Sequence, residues 1–146
     1  MPSILLDTNL LVYLFDPRDP KRKLKAKEIL VGIENSSQGC LSVQCLAEFF
    51  RVVTAKIGLS PAEIYPVIER WAGVFPTFPI TPQIVLEAAR GVRDYGISYF
   101  DSQIWAAARL NQVEIVFSED FQDGQSIEGV RFVNPFSADF QLENYL

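Results

Sequence analysis

Four acidic residues, set far apart along a chain that contains no histidine, define the chemistry open to it. Asp7 directly follows the apolar run Ile4-Leu5-Leu6, and Asp120 follows Val113 to Phe117 with only Ser118 and Glu119 between. Glu48 falls on a helical pattern after the strand-like stretch around Cys40 and Leu41, and Asp101 opens another helix in Ser98-Tyr99-Phe100-Asp101. Without imidazole, histidine general-base catalysis and histidine-ligated metals are excluded. What remains is carboxylate chemistry. A ring of carboxylates is a hard-oxygen site, suited to Mg2+ or Mn2+ rather than zinc. Crowded carboxylates repel, which raises their pKa values unless cations occupy the site. Two divalent ions about 4 Å apart can activate a water and stabilise the leaving oxygen of a phosphodiester, with no histidine base required.

Each acid also has a plainer role open to it. Asp7 begins Asp7-Thr8-Asn9, three consecutive residues that all favour helix N-caps, although a cap needs only one. Ser98-x-x-Asp101 resembles a capping box, and an acid in a first helical turn suits the helix dipole. Tyr99, Phe100, Ile104 and Trp105 should surround Asp101 with apolar bulk, however, and a buried carboxylate needs a partner. Glu48 stands three residues before Arg51, where an exposed ion pair would contribute only about 0.2–0.5 kcal/mol. Asp120 is an ordinary turn acid after a strand, and Glu119 and Asp123 compete with it for any role.

The surrounding pattern supplies elements to position these acids. Residues 3–6 read as a short buried strand, followed by a helix from Asn9 to Phe15 that stops before Pro17. A second helix runs from Pro20 to about Glu34 with Ala26, Ile29, Leu30 and Ile33 inward, and Gly39 to Leu41 reads as a strand. Ser42 can cap a third helix with the stripe Leu46, Phe49, Phe50 and Val53, ending at Gly58. Ser60-Pro61-Ala62-Glu63 starts a fourth helix, which Pro66 should kink. Phe75 to Ile80 is ambiguous, because its prolines exclude a regular central strand. Thr81-Pro82 starts a helix with Val85, Ala88, Ala89 and Val92 inward, and Ser98 starts one reaching Asn111. Val113 to Phe117 and Val130 to Val133 close the series as strands. Short apolar strands alternating with helices predict an α/β fold with a mostly parallel sheet covered on both faces. In such sheets ligand sites form outside the carboxyl ends of the strands.

At 146 residues the chain is the length of one domain, spanning 1–146. No apolar run approaches the roughly 18 residues of a membrane span, and Met1-Pro2-Ser3-Ile4 carries no readable export signal. Cys40 and Cys45 in apolar settings fit a reduced, cytoplasmic core better than a disulfide. Net charge is −5, which disfavours a nucleic-acid partner until its distribution is considered. Six of the 13 basic residues fall between Arg18 and Lys27, so Lys21, Arg22, Lys23, Lys25 and Lys27 are candidate RNA contacts, or else a solvated helix face. Tyr13, Phe15 and Tyr65 look surplus to one small core, which points to a second copy as their cover.

Taken in order, Ile4-Leu5-Leu6-Asp7-Thr8-Asn9, the helix bearing Glu48, Ser98-Tyr99-Phe100-Asp101-Ser102 and Val116-Phe117-Ser118-Glu119-Asp120 resemble the PIN-domain family, most of all the VapC-type toxin ribonucleases. The ending Gly129-Val130-Arg131-Phe132-Val133-Asn134-Pro135-Phe136 is similar to the close of such domains. The acids stand 41, 53 and 19 residues apart. The resemblance implies a three-layer α/β/α fold and a Mg2+- or Mn2+-dependent ribonuclease acting on RNA. It also implies a homodimer and a small antitoxin that blocks the acidic pocket. On this resemblance Asp7, Glu48, Asp101 and Asp120 are the metal-site acids, with Asn9 and Ser118 as polar supports and Glu119 a neighbour competing for the fourth place.

Two other functions stay open on sequence alone. One is a different carboxylate–magnesium phosphoryl hydrolase, such as a phosphatase. Those of the haloacid dehalogenase type want a second aspartate two residues after the first, where this chain has Asn9. The other is a catalytically silent PIN-like binding module whose acids are structural.

Overall fold

Ile4, Leu5 and Leu6 form β1 (Ile4–Leu6), and none of the three has any exposed surface. A strand buried on both faces belongs in the middle of a parallel sheet covered by helices. The computed structural model describes residues 3–146 and has β1 in that position. The other strands are β2 (Gly39–Ser42), β3 (Thr77–Phe78), β4 (Ile115–Phe117), β5 (Ser126–Ile127) and β6 (Val130–Val133). They line up in the order β3-β2-β1-β4-β6-β5, with β5 alone running antiparallel to its neighbour.

Helices α1 (Thr8–Tyr13), α2 (Pro20–Ser36), α3 (Val43–Ala55) and α4 (Pro61–Val74) supply most of one face of the sandwich. There Ile29, Ile33, Phe49 and Trp71 pack with Ile4 and Leu6. Leu5, pointing the other way, joins Ala88, Ile104, Trp105 and Phe132 under α5 (Pro82–Tyr95) and α6 (Tyr99–Leu110). This is the expected three-layer α/β/α arrangement. The chain builds outward from β1 to β2 and β3, then returns through α5 and α6 to place β4 on the other side of β1. That reversal makes β1 the switch point of the sheet.

Local chemistry explains where the helices start. Asp19, Ser60 and Thr81 each accept a backbone N–H three residues on, at 3.1, 3.1 and 3.2 Å, and each is followed by proline. Proline at the first helical position sacrifices no intrahelical bond. Gly96 ends α5 at φ 68°, a left-handed conformation that glycine adopts without steric cost. Helix α4 runs on past Pro66, which is exposed, to Val74.

Several expectations need correction. α5 turns Ile84, Ala88 and Gly91 inward, leaving Val85 and Val92 exposed and Ala89 outside the core. The reason is close packing: a methyl group on Gly91 would collide with Ser102 Oγ and lie 2.8 Å from the Trp105 ring. The Ser102 hydroxyl also donates to the Ala88 carbonyl at 2.7 Å. Phe15 is not surplus, because it packs edge-on against Phe49 and Trp71, and Tyr13 is half-buried against Phe136. Tyr65 alone of that trio is exposed. The ambiguous stretch contains only the two-residue edge strand β3. The β5–β6 hairpin went unread, although Glu128 and Gly129 at φ 48° and 84° make the two-residue turn such hairpins favour.

The last residues close one face of the core. Phe140 and Tyr145 stack on each other and meet Phe117 edge-on, with ring centroids 5.3 and 5.4 Å away, and Leu142 covers Gly32 of α2.

Candidate active site

The parallel ladder carries Leu6 opposite Phe117, so the residues that follow, Asp7 and Ser118, emerge side by side at the carboxyl edge. Asp7 N–H still donates to the Phe117 carbonyl at 3.1 Å, and Ser118 N–H to Val133 at 3.0 Å. The sheet thus fixes both backbones. Asp7 is buried, with Thr8 N–H on one carboxylate oxygen and Ser118 Oγ on the other, both at 2.7 Å. Burial pushes its pKa up to about 7 despite those two bonds, and the charges of Asp120 and Asp101 push the same way.

Asp120 reaches this edge through the loop after β4. Ser118 Oγ accepts its backbone N–H at 3.1 Å, and Asn9 Nδ2 approaches its two carboxylate oxygens at 3.3 and 3.4 Å. Its pKa is raised by burial and then by Asp101, Glu119 and Glu48. Those charges come from α6, from the same loop and from α3.

Glu48 stands on α3, where Ser42 caps the helix by accepting Cys45 N–H at 3.2 Å. It does not pair with Arg51. Gln44 Nε2 donates to it at 2.6 Å and Thr8 Oγ1 at 3.5 Å. Asp101 lies in the first turn of α6 and accepts from Ser98 Oγ at 2.9 Å. The expected apolar enclosure of Asp101 does not form: Ile104 and Trp105 face the core, Phe100 is exposed, and Asp101 is half-exposed. The buried carboxylate is Asp7.

Sequence reasoning missed a buried amide relay. Tyr99 OH donates to Gln103 at 2.9 Å, Gln103 to Gln44 at 2.8 Å, and Gln44 to both Glu48 and the Phe100 carbonyl. Gln44 and Gln103 are both about 5% exposed, so each amide depends on these partners. The relay locks α3 to α6 beside two of the acids. Its sequence signal was a glutamine one turn before Glu48.

Glu119, although its charge is felt by Asp120, is engaged elsewhere. It takes the Tyr13 hydroxyl and lies 3.5 Å from Arg22 Nε. Asp123 also has another task, accepting Asn134 N–H at 2.8 Å. Among the described residues Asp7, Glu48, Asp101 and Asp120 form no ion pair with any lysine or arginine. Their donor set is all oxygen and lacks a counter-charge, which suits a hard divalent cation. As placed, no three Asp, Glu or Cys side chains among the described residues come close enough to hold one ion.

The basic run divides between faces of α2. Lys21, Arg22 and Lys25 line a cleft with Phe136, whereas Lys23 lines a separate hollow with Phe15 and Glu63. A hollow of about 580 Å³ along α5 and α6 includes Leu86 and Leu110 but none of the four acids.

A PIN domain family profile matches residues 4–122, most of the chain and all four acids. The chain belongs to the PIN-domain family. No curated protein matches its sequence. Solved structures of similar fold include a toxin–antitoxin complex from Klebsiella pneumoniae, 22% identical, with TM-score 0.68 over 92% of this chain and 98% of that one. Another is Mycobacterium tuberculosis VapC20, a sarcin–ricin-loop-cleaving toxin, 20% identical, with TM-score 0.67 over 88% and 99%. A third is DNA-bound VapBC from Salmonella typhimurium, 18% identical, with TM-score 0.65 over 90% and 97%. This PIN domain therefore shares its fold with VapC-type toxins. No helix among its described residues is long and apolar enough to cross a membrane.

Proposed function

We propose that this PIN-domain protein is a divalent-metal-dependent ribonuclease that hydrolyses the backbone of single-stranded or structured RNA, and that it is the toxin of a toxin–antitoxin pair. One observation carries the reading: four acids without a cationic partner among the described residues come from the end of β1, α3, α6 and the loop after β4, and Asp7 and Asp120 are raised in pKa by burial first and by neighbouring acids second. Asp7, Glu48, Asp101 and Asp120 would hold Mg2+ or Mn2+. Bound there, the metal would acidify a water and stabilise the leaving oxygen of a phosphodiester. Ser118 and Asn9 keep Asp7 and Asp120 aimed at the same edge, and the Gln44–Gln103 relay does the same for Glu48.

The partner follows from the same electrostatics. An antitoxin side chain that enters this edge should be an arginine, since a guanidinium pairs bidentately with carboxylates and takes a cation's place. A homodimer in the cytoplasm completes the proposal.

The test is cleavage of a labelled RNA with Mg2+, Mn2+ or chelator, set beside hydrolysis of a small phosphomonoester. The parent should cut RNA only with metal, and Asp101→Asn should lose that activity while melting normally. Full activity in Asp101→Asn, or preference for the monoester, overturns the assignment. Acid variants that unfold would instead indicate a structural role.

A further inference from the structure

One helical turn along α1 from the acids, the surface changes character. Asn9 holds Asp120, and Tyr13, four residues later on the same face, holds Glu119. The step between them is ~6 Å along the helix. Beyond Tyr13 opens a cleft of about 220 Å³ lined by Lys21, Arg22, Lys25 and Phe136.

The aromatic member of this cleft is held in place. Tyr13 meets the Phe136 ring edge-on at 5.0 Å, and Asn134 Oδ1 accepts Phe136 N–H at 2.9 Å. The Arg22 guanidinium lies 5.5 Å from the Tyr13 centroid and 5.8 Å from that of Phe136. Arg22 is also engaged by Asp19 at 2.9 Å and by Glu119, so its charge is already answered. The two ammonium groups differ. Lys21 has no carboxylate partner among the described residues, and Lys25 has only Glu28, at 4.0 Å, with its ammonium also resting 5.6 Å from the Phe140 ring centroid.

We infer that this cleft binds the nucleotide next to the scissile bond of single-stranded RNA, with the base on the Phe136 ring and its phosphates on Lys21 and Lys25. The inference rests on the ribonuclease reading and names a subsite for its substrate. A ring beside two available ammonium groups matches a nucleotide's two halves, a π-face and an anion. An acidic peptide would engage the lysines and leave the ring idle. Stacking on a phenylalanine tolerates any base, so the subsite adds grip without sequence choice. Arg22 is a positioning residue here, bracing the ring while pairing with Glu119. Lys23 and Lys27 lie outside the cleft.

The experiment measures binding of a short fluorescent single-stranded RNA by anisotropy, in chelator, across a salt series. The proteins are the parent, Lys21→Gln with Lys25→Gln, Phe136→Leu, and Lys23→Gln with Lys27→Gln. The first pair should weaken binding about tenfold and flatten the log–log salt slope by about 1.4, from roughly 0.7 per phosphate contact. Phe136→Leu should weaken binding about tenfold, and this loss should vanish with an abasic oligonucleotide. The Lys23–Lys27 pair should leave both quantities unchanged. An unaltered slope in the Lys21–Lys25 variant overturns the phosphate contacts, and equal losses on intact and abasic RNA overturn the stacking. Lys21 is exposed and Lys25 half-exposed, so their arm stands even where Phe136→Leu fails to fold. A parent that cleaves no RNA yet shows this binding pattern sinks the nuclease reading and keeps the subsite. One that cleaves without the pattern does the reverse.

Discussion

The Ser118 hydroxyl donates to Asp7 Oδ2 across 2.7 Å, joining the carboxyl ends of two neighbouring parallel strands. The same oxygen accepts Asp120 N–H, so a single side chain sets both acids. Ser118→Ala should therefore cost about 1–2 kcal/mol of stability, because a buried carboxylate loses a donor. It should also lower the affinity for Mn2+. Urea unfolding and metal titration check the two effects, and a variant unchanged in both would show the hydroxyl to be idle.

Asp7 predicts an unusual pH profile for the metal-free protein. Its folded value of about 7 stands above the 3.8 of a free aspartate, so between these values the folded chain holds a proton that the unfolded chain has released. Stability from this group is complete below about pH 4, declines as pH rises, and is gone above about 7. Glu128, held down to about 2 chiefly by Arg90, acts in the opposite sense and only in acid. Asp7→Asn should flatten the decline between pH 4 and 7 and melt higher than the parent at pH 8. Each kcal/mol regained should appear as roughly 2–4 °C in Tm for a chain of this size. Parallel profiles for parent and variant would contradict the burial argument.

Two adjacent acids should behave differently. Asp120→Asn removes a carboxylate that feels Asp101 and Glu48, and should cut the rate at least 100-fold with little change in Tm. Glu119→Gln alters the contact with Tyr13 and Arg22 and removes one charge that Asp120 feels, but leaves Asp120 in place, so cleavage should stay within a few-fold of the parent. Single-turnover rates with Mn2+ separate them. The reverse ranking would transfer the fourth position to Glu119.

Gly91→Ala tests the packing of α5 on α6. The added methyl meets Ser102 Oγ and the buried Trp105 ring, so the helices must separate at a cost of about 1–3 kcal/mol. Alanine would otherwise favour the helix by about 1 kcal/mol. A stabilised variant in thermal melts would show that the contact gives way freely.

The fold was legible because its strands announce themselves. Ile4-Leu5-Leu6, apolar throughout and bounded by Asp7, reads as a buried strand, and Asp7 directly after it sits at the sheet's edge. Periodicity failed at α5, where Val85 and Val92 suggested one inward face and the approach of Ser102 and Trp105 to Gly91 selected another. A pattern of apolar residues cannot reveal which face carries the smallest one. The element that carries each of the four acids was legible, whereas the glutamine relay was not, since it depends on α3 and α6 meeting across 59 residues of chain. The basic run looked continuous in sequence but divides around α2, because a helix distributes neighbours over its whole circumference.

The pairing of β1 with β4 joins residues 4–6 to residues 115–117. Contacts so distant along the chain form late, since the entropy of closing the loop must be met before they contribute. A polypeptide growing from its N-terminus can pair β1 with β2 early and bring Asp7 near Glu48, but it waits for β4 to complete the edge. Asp120 arrives with the strand that completes the sheet's centre, so the last acid and the frame that gathers the others come together in one event. Any task that needs all four acids therefore begins only after β4 has taken its place beside β1.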